Sequence, residues 1–180
     1  MSWKKLSART VYENDWMRVC EDHVINPGGG ENLYGHVQFK NVAVAIIALD
    51  DAMNTWLVGQ DRYTLGEHSW ELPMGGAPLD ELPLVAAKRE LQEETGIRAA
   101  NWEELMRLHP SNSITDELGF AYLATDLSFG ETNFEETEDL DIRKLPLQDA
   151  VNMVLDGQIT DAISAAALLC LDTVKRASSP

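Results

Sequence analysis

Apolar residues run without interruption from Val42 to Leu49 (VAVAIIAL). A run that short and rich in Val and Ile predicts a strand buried on both faces. Asp50-Asp51 and Asn54 then mark a turn, and Thr55 to Gln60 (TWLVGQ) predicts the next strand. Upstream, Trp16 to Ile25 (WMRVCEDHVI) mixes apolar and polar positions at roughly strand spacing. Pro27-Gly28-Gly29-Gly30 forces a turn, and Asn32 to Lys40 (NLYGHVQFK) returns as the second arm of a hairpin. Leu105 to His109 and Gly119 to Thr125 are further strands.

The period changes to that of a helix between Pro83 and Thr95. Proline suits a first helical turn and Gly96 suits the residue just past the end. At about 100° per residue, Leu84, Ala87, Leu91 and Thr95 share one face, the expected core stripe. Two more helices close the chain, about Pro146 to Asp156 and about Asp161 to Lys175. Strands mixed with a few helices predict an α+β or layered α/β/α domain. Residues 1–40 read as an N-terminal strand region, and 41–180 as the main domain.

Charge narrows the partners. Asp and Glu number 30 against 14 Lys and Arg, a net charge of -16, and there is no basic run. Long nucleic acid is a poor partner for such a surface. A small anion remains a partner if a cation mediates the contact. The longest apolar run is too short to span a bilayer, and the N-terminus carries no apolar signal core, so the expected location is cytoplasmic. Cys20 and Cys170 stand far apart with no CxxC, which predicts two buried, reduced thiols and no zinc site.

The helix from Pro83 to Thr95 concentrates acid. Arg89 and Glu93 are spaced as an i, i+4 ion pair. Glu90 and Glu94 are also one turn apart, beside the core stripe and next to small alanines. Like charges at that spacing repel, and the pair calls for a counter-charge. A hard divalent cation supplies one, and Mg²⁺ or Mn²⁺ prefers carboxylate oxygen. A solvated acidic helix is the plainer alternative.

The surrounding residues carry a resemblance. Gly75, five residues, Glu81, seven residues, Arg89-Glu90-Leu91, one residue, Glu93-Glu94, one residue, Gly96-Ile97: this resembles the Nudix box, GX5EX7REUXEEXGU with U aliphatic, at every fixed position. The resemblance implies an α/β/α sandwich with a mixed sheet, here with an N-terminal antiparallel strand region. It implies hydrolysis of a nucleoside diphosphate linked to another group. By resemblance, Glu90, Glu94 and the backbone carbonyl of Met74 hold the metal. Glu93 is a ligand, a water-activating group, or the residue that orients Arg89. Glu81 and Arg89 brace the loop and helix, and Gly75 and Gly96 are backbone-geometry positions.

The flanks resemble one subgroup. Gln60-Asp61-Arg62-Tyr63 followed by Trp70-Glu71-Leu72-Pro73 is similar to the run before the box in ADP-ribose and nucleoside-diphosphate-sugar pyrophosphatases, over about residues 10–175. Arg62 is then a phosphate-binding candidate or a surface ion pair. Glu71 lies near the metals or the terminal ribose, or is a buried structural acid. In the acidic cluster Glu135 to Asp139, the resemblance points to Glu136 as catalytic base, with Glu138 next. Glu117 ends a loop where the subgroup carries an acid, although Asn112-Ser113 stands where Pro-Gly is common. Trp16 and Tyr34 are candidates to stack on a base, with core packing as the alternative. Lys40 is the nearest basic residue to the second aromatic. The subgroup implies a homodimer whose N-terminal strands help build the base pocket. The expected function is therefore Mg²⁺- or Mn²⁺-dependent cleavage of ADP-ribose or a related nucleotide sugar. The alternatives are a nucleoside triphosphate pyrophosphohydrolase and a non-catalytic nucleotide-sugar sensor.

Overall fold

The structure, a computed structural model, describes residues 2–130 and 140–178. The chain opens with three antiparallel strands, β1 (Lys4–Glu13), β2 (Met17–Ile25) and β3 (Glu31–Phe39), in the order β1-β2-β3. The expected turn joins β2 to β3. Asn26 Oδ1 accepts from the amides of Gly28 (2.9 Å) and Gly30 (3.1 Å), and Gly29 takes φ +91°, a conformation natural to glycine. Alternate residues of β2, Cys20, Asp22 and Val24, are buried, so one face of this sheet is covered. β1 is exposed along its whole length; it falls in the region read as strands but was not delimited there, because KKLSARTVYE is too polar to show a buried alternation.

β4 (Asn41–Ala48) follows directly and is the predicted buried strand. It pairs with β7 (Met74–Pro78) antiparallel and with β9 (Gly119–Phe129) parallel, and β8 (Ile97–Leu108) completes a mixed sheet of order β7-β4-β9-β8. The pleat of β4 divides the core. Val44, Ile46 and Ala48 point to α1 (Pro83–Thr95) and pack in one cluster with Ala86, Ala87 and Leu91. Ala45, Ile47 and Leu49 point the other way. They pack in a second cluster with Ala150 and Val151 of α2 (Leu147–Leu155) and Ile163, Ala167 and Leu168 of α3 (Ala162–Ser178). The result is the expected α/β/α sandwich. Ile46 and Ile47 are fully buried on opposite faces, and cutting either to Ala costs about 2–5 kcal/mol. A third sheet, order β10-β5-β6, joins β5 (Asn54–Arg62), β6 (Glu67–Glu71) and β10 (Asp141–Pro146) antiparallel.

Several expectations change. The strand at Leu105 to His109 is only the end of β8, whose first half, IRAANWEE, is too polar to read as a strand. The helical core stripe is shifted. Ala87 and Leu91 are buried as expected, but Leu84 and Thr95 are only half-buried, and Ala86, Glu90 and Glu94 take their place. Cys20 is buried, whereas Cys170 is half-buried on α3.

Candidate active site

α1 starts on a proline and ends at Gly96, whose φ of 69° is left-handed. Those ends set its length, and the packing of Ala86, Ala87 and Leu91 on β4 sets its rotation, which places Glu90 and Glu94 on its inner side facing β7. Glu94 is 1% exposed, and its Oε2 accepts the Met74 amide at 2.9 Å. Glu90 lies directly under Gly75. A Cβ at residue 75 would come within 2.1 Å of the Glu90 carboxyl carbon, so only glycine leaves room for that carboxylate. Met74 and Gly75 are therefore docked on the two glutamates by one hydrogen bond and one close approach.

Arg89 ties the assembly together. Its Nη1 donates to Glu90 (2.7 Å) and Glu93 (2.9 Å), and its Nη2 donates to the Gly76 carbonyl (3.1 Å) and pairs with Glu81 at 3.5 Å. The expected i, i+4 pair is present within a larger network. Partial burial opposes the guanidinium charge, but Glu90 and Glu93 outweigh it and hold the pKa above its ordinary value.

Arg62 and Glu71 form a second unit. Arg62 Nε donates to Glu71 Oε1 at 2.9 Å, and its Nη2 donates to Oε2. Glu71 is buried, while the Arg62 side chain is partly open. The guanidinium is thus fixed from behind with one edge toward solvent.

Two adjoining hollows cover these groups. One, about 560 Å³, is bounded by Asp15, Trp16, Lys40, Glu81, Arg89 and Glu90. The other, about 330 Å³, is bounded by Phe39, Gln60, Arg62, Met74, Glu94 and Glu117. Asn41, Gly75 and Gly76 line both. Burial, and then the charge of Asp161, push the Glu117 pKa up. The structure thus brings Trp16, Arg62, Met74, Glu90, Glu94 and Glu117 to one cleft, with Glu71 and Glu93 behind its wall. Tyr34 is not among them. It lines a separate hollow with Trp3 and His36, and its hydroxyl donates to the Ser113 carbonyl. Glu136 and Glu138 lie outside the described residues. Asn41 and Asp15 carried no motif and were missed, because only the folded register brings them to the cleft.

Among the described residues, no three His, Cys, Asp or Glu side chains converge as a ready cation cluster. The fit to a hard cation rests on the two buried carboxylates of α1, one of them seated in the room that Gly75 leaves. The donors are all oxygen, as Mg²⁺ or Mn²⁺ requires.

Residues 39–166 match the family described as NUDIX domain, and residues 3–37 match the nucleoside diphosphate sugar hydrolase N-terminal domain. The chain is 35% identical to an ADP-ribose pyrophosphatase of Mycobacterium tuberculosis, over 96% of this chain and 84% of that protein. It is 31% identical to a CMP-5'-(N-acetyl-N-hydroxy-3-aminopropyl)phosphonate hydrolase of Streptomyces rubellomurinus, over 95% and 82% of the two. A crystal structure of an ADP compounds hydrolase shares the fold, with a TM-score of 0.88 at 20% identity, covering 99% of this chain and 97% of that one.

Proposed function

Since the chain belongs to the NUDIX domain family, we propose that it hydrolyses the diphosphate of ADP-ribose or a related nucleoside-diphosphate sugar to a nucleoside monophosphate and a sugar phosphate. The observation that carries this reading is the buried Glu90 and Glu94 pair facing a cleft whose own cations are already engaged. Arg89 is held by Glu81, Glu90 and Glu93, and Arg62 by Glu71. Lys40 pairs with Glu13. With Asp15, Glu81, Glu90, Glu94 and Glu117 on the walls, a diphosphate entering alone meets a repulsive surface.

A divalent cation held by Glu90, Glu94 and the Met74 carbonyl would neutralise the phosphate oxygens and make water a better nucleophile. The chain's own groups do the rest. Arg62, pinned by Glu71, presents its open edge to a phosphate. Arg89 fixes the position of Glu90, and Glu93 orients Arg89. Trp16 gives the base a flat surface, and Glu117 faces the sugar side. Glu136, with Glu138 as the next choice, takes the proton from the attacking water. One P–O bond forms to that water, and the bridging P–O bond breaks, leaving its oxygen on the departing phosphate.

The same reading makes residues 1–40 the dimerisation and base-pocket region of a homodimer, and 41–180 the hydrolase domain. The exposed β1, with Leu6, Val11 and Tyr12 open to solvent, supports that role. A cytoplasmic location belongs to the same reading, and the free thiols of Cys20 and Cys170 are in keeping with it. No helix among the described residues is long and apolar enough to cross a membrane.

Chromatography of products from a panel of substrates with Mg²⁺ tests the function. Nucleoside monophosphate and sugar phosphate from ADP-ribose, or from GDP- or UDP-sugars, support it. Turnover of ATP alone favours a triphosphate pyrophosphohydrolase. Tight binding of a nucleotide sugar with no product favours a sensor.

A further inference from the structure

Trp16 is 69% exposed at the rim of the larger hollow, on the short turn between β1 and β2. An exposed indole on a free turn has no fixed orientation, yet this turn is pinned on both sides. Asn14 Oδ1 accepts from the amides of Trp16 (2.9 Å) and Met17 (2.8 Å), and the Asn14 amide donates to the Met17 carbonyl (3.0 Å). Lys40, at the end of β3, closes the arrangement. Its Nζ donates to the Asn14 carbonyl at 2.6 Å and pairs with Glu13 at 2.9 Å, and its own amide donates to the Trp16 carbonyl at 2.9 Å. Glu13 also holds Arg18 at 3.0 Å. Hydrogen bonds from Arg18 and Lys40 push the Glu13 pKa down to about 2, so the pair stays charged across the neutral range.

Two of the three ammonium hydrogens of Lys40 are thereby committed to the turn. We propose that Lys40 is a positioning residue that holds Trp16 over the cleft, and that it serves substrate binding through the indole instead of by contact with phosphate. This rests on the reading of Trp16 as the stacking surface for the base.

The test uses the full chain as wild type, Lys40→Met, Lys40→Arg, Trp16→Ala and the double variant Lys40→Met/Trp16→Ala. Steady-state kinetics with ADP-ribose and Mg²⁺ is paired with amide exchange of residues 14–17, which is read whether or not the substrate is turned over. In Lys40→Met, amide exchange at 14–17 rises at least about tenfold, KM rises about tenfold and kcat stays within about twofold. Lys40→Arg restores most of both, and the double variant is no worse than Trp16→Ala alone. Unchanged exchange in Lys40→Met overturns the proposal. So does a double variant whose KM is the product of the two single effects, the mark of a direct phosphate contact. If Trp16→Ala leaves KM unchanged while exchange still rises in Lys40→Met, the stacking reading fails although the clamp stands, and the proposed role in binding falls with it.

Discussion

A Cβ built on Gly75 falls 2.1 Å from Cδ of Glu90 and 2.3 and 2.4 Å from its two carboxylate oxygens. The obstruction is the tip of a flexible side chain, so the fold survives a methyl group there and the carboxylate moves instead. Gly75→Ala is expected to lower the midpoint of thermal unfolding by no more than a few degrees. It lowers kcat/KM about a hundredfold, the cost of a misplacement near 1 Å at a reacting centre. Calorimetric titration with Mg²⁺ should show the matching loss of affinity. Full activity in Gly75→Ala would mean that Glu90 has no fixed role.

Ser164 bridges two layers. Its hydroxyl accepts the Leu72 amide at 2.9 Å, and both residues are fully buried. Ser164→Ala leaves that amide without its acceptor, which costs about 1–3 kcal/mol. Urea unfolding is expected to show a lower midpoint with the slope unchanged.

Asp50 holds the turn between β4 and β5. The Lys144 ammonium, 2.8 Å away, and the Asn54 amide push its pKa down to about 2 from 3.8, against the effect of burial. A depressed carboxylate stabilises the fold above its unfolded value and loses that contribution as pH falls through the folded one. The stability of the wild type should therefore fall more steeply than that of Asp50→Asn between about pH 4 and pH 2. Equilibrium unfolding at several pH values checks this.

Glu117 ionises less readily than an ordinary carboxylate because of burial and then Asp161. Asp161 also accepts the Ser164 amide at 2.7 Å, at the start of α3. Asn at residue 161 keeps an acceptor for that bond but removes the charge. In Asp161→Asn the carboxyl signal of Glu117 is expected to titrate at lower pH than in the wild type, as followed by carbon NMR. An equal or higher value would assign the shift to burial alone.

The sequence displayed the parts of the fold that depend on local pattern. VAVAIIAL needs burial on two faces, and the structure provides it. Pro83 and Gly96 mark both ends of α1. β1 was hidden because its residues are polar and exposed, and β7, MGGAP, because its glycines and proline argue against a strand. The box spacing located Glu90 and Glu94, but not their depth, because burial of an acid depends on what β7 lays over it. The pairing of Arg62 with Glu71 joins two strands, and the clamp of Lys40 on Asn14 joins two turns 26 residues apart. Only the folded arrangement brings such pairs together, and no local periodicity encodes it.

The most direct measurement is phosphorus NMR of ADP-ribose with Mg²⁺, using the wild type and Glu94→Gln. Gln at residue 94 keeps an acceptor for the Met74 amide and removes the carboxylate charge. The expected result is that the wild type replaces the coupled diphosphate signals with two monophosphate signals, and that chelation stops this. Folded Glu94→Gln slows it at least about a hundredfold. Equal rates in the two proteins, or cleavage that persists in chelator, would contradict the assignment of Glu94 to a metal-assisted reaction.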